Sequence, residues 1–156
     1  VIRQALLDRH SKVAKAYVDL VRSSGFEEKF VDDVLSDVYQ PLADRVEKLV
    51  VGLRDRLESA GESVSELRVL LESFKTEVAA DLDVMLEVGD LPGYAEEHAR
   101  DSSSDFLRDL GIASWNKAND PKLAAAASEL AAKYVDSHSL REKFQAVLLT
   151  DEGTGQ

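Results

Sequence analysis

Cysteine is absent from the 156-residue chain, which removes disulfides, thiolate metal sites and cysteine nucleophiles together. Its absence is compatible with either redox setting, so it says nothing about compartment. Glycine (8), proline (3) and aromatic residues (6%) are also scarce. A sheet protein needs more turn residues than this. No stretch approaches the ~18 consecutive apolar residues that a membrane-spanning helix requires. The chain starts at Val1 and its one methionine is Met85, so its beginning is expected to be a processing site or a cut end. What remains is 44% hydrophobic and rich in Leu, Ala, Val, Glu, Asp, Lys and Arg, a mixture that favours helices. The length suits one domain, expected over residues 1–150, with 151–156 as a disordered tail.

The net charge of −11 is unevenly spread. Residues 61–110 hold thirteen acids against four bases, whereas residues 1–40 hold seven against six. Such a surface repels a phosphate backbone, because nucleic-acid binding depends on Lys and Arg neutralising phosphates. Anionic membrane is disfavoured for the same reason.

Along the chain the apolar residues recur every three or four positions. Ile2, Leu6, Val13, Tyr17, Leu20 and Val21 predict one helix that ends before Gly25. Phe30, Val31, Val34, Leu35 and Val38 continue the period to Pro41, where a kink or a fresh helix start is expected. From Tyr39 a heptad follows through Ala43, Val46, Val50, Leu53 and Leu57. After Gly61, Ser63 and Glu66 have the spacing of a capping box. Leu67, Leu71, Phe74, Val78 and Met85 then carry a helix that Asp81 interrupts. Two such helices joined by a short turn pack antiparallel. The fold expected is therefore all-α: an up-and-down bundle around a long helical hairpin, about 39–58 and 63–88, with shorter C-terminal helices. Those shorter pieces are expected after Pro92 to about Arg100, around Phe106 to Gly111, from Asp120-Pro121 to Tyr134, and from Ser139 to Leu148. Asp101 to Asp105, with its three serines, is expected to break the chain, and Ile112 to Asn119 to be irregular.

Chemical motifs are sparse. His10, His98 and His138 lie far apart, and no His-Glu-x-x-His, calcium loop, phosphate-binding loop or serine elbow occurs. No catalytic residue, metal site or cofactor is assigned. His10 is expected to be a partly buried, hydrogen-bonded histidine. Glu97, Asp101, Asp105 and Asp109 would form an acidic row on one unbroken helix, an arrangement that like-charge repulsion penalises. Trp115, expected in a loop among Ser114, Asn116 and Lys117, reads as a lid over the bundle's end or a contact residue. Tyr17, Tyr39, Phe26, Phe30, Phe74, Phe106 and Phe144 fall on or beside apolar faces, and most are expected in the core.

The functional expectation is a non-enzymatic helical-bundle module that binds another protein. Asp83, Glu87, Asp90, Glu96 and Glu97 flank the Pro92 turn, where their field would steer a partner with a basic surface; Trp115 joins them as a candidate contact, and self-association is left open. Two other classes compete with this one: a ligand-sensing receptor bundle, and an amphipathic lipid-surface binder. Pro41 heading an amphipathic helix and the run Leu70-Leu71-Glu72-Ser73-Phe74-Lys75 superficially resemble exchangeable apolipoproteins. Prolines 41, 92 and 121 do not recur at that family's regular interval, and membership is not inferred.

Overall fold

The computed structural model describes residues 1–89 and 94–135. They form α1 (Ile2–Leu7), α2 (Ser11–Arg22), α3 (Glu28–Ala60), α4 (Val64–Ser73), a π-helical turn (Phe74–Val78), α5 (Ala79–Val88), α6 (Tyr94–Asn116) and α7 (Pro121–Tyr134), with no strand among the described residues. The architecture is an all-α bundle. The predicted Ser139–Leu148 helix and the 151–156 tail lie outside the described residues.

The hairpin forms where the heptad places it. Tyr39, Ala43, Val46, Val50 and Leu53 on α3 are buried against Leu67, Leu71, Phe74 and Val78, and Leu57 packs partly buried at the end of the seam. Gly61 takes the left-handed φ of 59° that the turn needs. Ser63 Oγ accepts the Glu66 amide at 3.3 Å, one half of the capping box. The reciprocal half is not needed, because the Ser63 amide donates instead to the Ala60 carbonyl.

Five local expectations are corrected. The first predicted helix is two, because the chain turns at Arg9, whose φ is +61°; His10 stands exposed at the start of α2 rather than partly buried. Of the two courses expected at Pro41, the fresh start does not occur, since α3 runs through it for 33 residues. The 63–88 helix contains the π turn, where Thr76 Oγ1 bonds back to the carbonyls of Glu72 and Ser73 at 3.0 and 3.2 Å. After it, α5 is buried on most sides through Ala79, Leu82, Val84, Met85 and Val88.

The other two corrections concern α6, which is one helix through Asp101–Asp105 and onward past Gly111 to Asn116. Its serines do not break it because their hydroxyls find carbonyls. Ser103 and Ser114 bond four residues back, at 2.8 and 2.7 Å, while Ser104 reaches the Ala131 carbonyl on α7 at 2.9 Å. Gly111 ends nothing. A Cβ there would stand 3.2 Å from Ser128 Oγ and 3.3 Å from the Ala124 carbonyl, so glycine allows α6 and α7 to approach closely. The alanine run 124–127 serves that contact from the other side, and α6 and α7 form the most extensively packed pair in the bundle.

Candidate functional site

The acidic middle of the chain is drawn into ties between helices. Asp83 accepts the Tyr134 hydroxyl at 2.8 Å and lies 3.3 Å from Lys133 Nζ. Burial, with the Asp83 carboxylate beside it, pushes the Tyr134 phenol well above the ordinary tyrosine range. Glu96 pairs with the buried Arg100 at 3.6 Å. Arg100 in turn donates to the carbonyls of Tyr134 and Val135 at 2.9 and 3.2 Å, closing the C-terminal end of α7. Asp83 and Glu96 therefore gather around the end of α7, as a structural joint.

The remaining candidates go elsewhere. Glu87 accepts a hydrogen bond from Ser11 at the start of α2. Glu97 is exposed on α6, and Asp90 lies outside the described residues. Trp115 is half-buried in the last turn of α6, not in a loop. Eighteen positions of helix separate it from Glu97, about 27 Å at 1.5 Å per residue. The acidic row on α6 does exist, because the helix is unbroken: Glu97 and Asp105 are exposed, and Asp109 is held by Arg54 at 2.8 Å.

Asp81, which reads in the sequence as an interruption of an apolar stripe, is the most enclosed charge described. Its side chain is fully buried. Oδ1 accepts from Arg9 Nε and Arg45 Nη2, and Oδ2 from Arg45 Nε, each at 2.8 Å. The same guanidiniums reach the carbonyls of Leu7 and Glu77 at 2.9 and 3.3 Å. One carboxylate thus ties the α1–α2 turn and α3 to α5, and both of its oxygens accept from protein donors. Asp120 makes a lesser tie at the N-terminus of α7, to an arginine that is 65% exposed. It accepts Arg68 Nη2 at 2.8 Å and the Leu123 amide at 3.1 Å, and these bonds hold its carboxyl below the usual range.

The residues that sequence reading assigned to the core but the structure leaves outside are on α2 and the start of α3. Ala14 and Val18 face inward, so Val13, Tyr17 and Leu20, offset by one or two positions, make an outer stripe that is 46%, 39% and 62% exposed. Phe26 and Phe30 follow at 63% and 54% exposure, with ring centroids 5.6 Å apart. A cavity of about 620 Å³ beside Tyr17 is lined by Val1, Ile2, Arg3, Gln4 and Val38. The signal was present in the sequence: α2 has more apolar positions than one helix face can bury. Among the described residues no group of His, Asp or Glu is arranged to hold a metal ion, and no helix is long and apolar enough to cross a membrane. No protein-family model, curated protein or solved structure matches the chain.

Proposed function

We propose that the chain is a non-enzymatic protein–protein interaction module, a piece of a larger protein or assembly. The observation that carries this reading is the outward apolar edge of Val13, Tyr17, Leu20 and Phe26. Large apolar side chains left in water along one edge give a partner apolar area to bury, and aromatic anchors are the side chains that contribute most to such contacts.

The reading is tested by affinity capture with the wild-type chain and with Leu20→Glu and Tyr17→Ser variants whose melting temperatures match it. A protein captured by the wild type and lost in both variants supports the edge as the binding surface. Equal capture by all three, or capture of nothing above a scrambled control, overturns it.

A further inference from the structure

Helix α2 gives the bundle its small apolar residues and gives water its large ones. Ala14 and Val18 are buried, whereas Val13, Tyr17 and Leu20 stay outside. On α3, Phe30, Val34 and Val38 follow at steps of four and share one side of that helix. Tyr17 and Val38 line the same cavity, so the outer stripe of α2 and this side of α3 adjoin. Phe26, in the turn between the two helices, closes the far end with its ring centroid 5.6 Å from that of Phe30. One apolar face thus spans α2 and the first three turns of α3, and residues 1–40 supply all of it.

The size of this face bears on what covers it. At the exposures of Val13, Tyr17, Leu20, Phe26 and Phe30, the five side chains leave on the order of 500 Å² in water, toward the upper end for the largest apolar patch of a monomer. Two such faces set against each other remove about 1,000 Å² between them. The exposed neighbours Ala16, Ser23 and Ser24 extend the contact past the ~1,200 Å² at which stable interfaces begin. Charge bears on it as well. Residues 1–40 carry six bases and seven acids, whereas residues 41–156 carry 13 bases and 23 acids. Two copies therefore repel each other through the rest of the chain, and this near-neutral face is where they can meet. Its single excess acid is too little to select a strongly basic partner instead.

We propose that this face joins two copies of the chain into a homodimer, with α2 of one copy antiparallel to α2 of the other across a two-fold axis. That placement sets Val13 of one helix beside Leu20 of the other and both Tyr17 rings next to the axis, each contact being made twice. Ala16, one position before Tyr17, is small enough to admit the ring arriving from the other copy. The two faces are then used up on each other, so assembly stops at two copies. An apolar centre is what homodimer interfaces have more of than other protein contacts. The inference rests on the reading of the α2 edge as a binding surface, and names its partner.

Sedimentation equilibrium of the full chain from about 1 μM to about 1 mM provides the test. Wild type is expected to dimerise. Leu20→Glu and Phe30→Glu each set a charge against apolar surface twice per dimer, and should raise Kd at least about tenfold. Val51→Glu changes an exposed apolar residue that lies about 20 Å beyond Val38 on α3, and should leave Kd unchanged. All three positions face water in the single copy, so the variants' melting temperatures at low concentration should match wild type. Raising salt from about 0.05 M to about 0.5 M screens the repulsion between the acidic parts and should tighten the dimer. A wild-type chain that stays monomeric, a dimer that survives both Leu20→Glu and Phe30→Glu, one lost in Val51→Glu, or one that loosens as salt rises overturns the pairing. A monomer that captures another protein through Leu20 and Tyr17 overturns this dimer while leaving the proposed function intact; a chain that neither dimerises nor captures anything overturns both.

Discussion

Replacing Asp81 by alanine should be among the most damaging single changes outside the apolar core. The side chain is fully buried and accepts three guanidinium N–H bonds at 2.8 Å. Removing one partner of a buried charge network costs about 3–5 kcal/mol, because the charges left behind lose their compensation. Here the orphans are Arg9 and Arg45, whose side chains are 42% and 35% exposed. They can turn partly toward water, which lowers the expected cost to about 2–3 kcal/mol. With an unfolding entropy of about 2.1 cal/mol/K per residue over 156 residues, each kcal/mol corresponds to about 3 °C, so Asp81→Ala should lower Tm by about 6–9 °C. Arg45→Ala should cost more than Arg9→Ala, since Arg45 holds both carboxylate oxygens and the Leu7 carbonyl. Thermal and denaturant unfolding followed by circular dichroism measures all three. A loss below about 0.5 kcal/mol for Asp81→Ala, the range of ordinary surface changes, would refute the account of a carboxylate that ties three elements together.

Leu71→Ala, in the hairpin seam and 4% exposed, should cost about 2–5 kcal/mol. Arg68→Ala, which removes only the exposed pair with Asp120, should change Tm far less; equal shifts for the two would sink the seam. Gly111→Ala crowds the α6–α7 contact and should destabilise, whereas the same substitution at Gly52 meets open space and should stabilise by up to about 1 kcal/mol. Denaturant curves giving both changes the same sign would refute the distinction. The Tyr134 phenol is raised in the folded state by burial and by Asp83, so its contribution is complete below the unfolded value of about 10 and declines as pH rises above it. Tyr134→Phe should therefore lose less stability than wild type between about pH 8 and pH 11. Parallel losses in the two proteins would show that this phenol is not the source.

Periodicity and end chemistry were enough for the all-α class, for the hairpin seam of Val46, Val50, Leu53, Leu67, Leu71, Phe74 and Val78, and for the starts of α4 at Ser63 and α7 at Asp120-Pro121. Those features depend on neighbours three or four residues away, which lie in the sequence itself. The continuity of α6 was not legible, because serines favour a break unless a carbonyl receives them, and the carbonyl that receives Ser104 belongs to Ala131 on another helix. For the same reason Asp81 reads as an interruption until Arg9 and Arg45 arrive from far along the chain. The acids near Pro92 share a stretch of sequence, yet Asp83 turns to Tyr134 and Glu87 to Ser11. Apolar spacing finds candidate faces on α2 and α3; which of them meets the core and which is left to water is decided by the helices packed against them, and that left Phe26 and Phe30 outside while Phe74 and Phe106 went in.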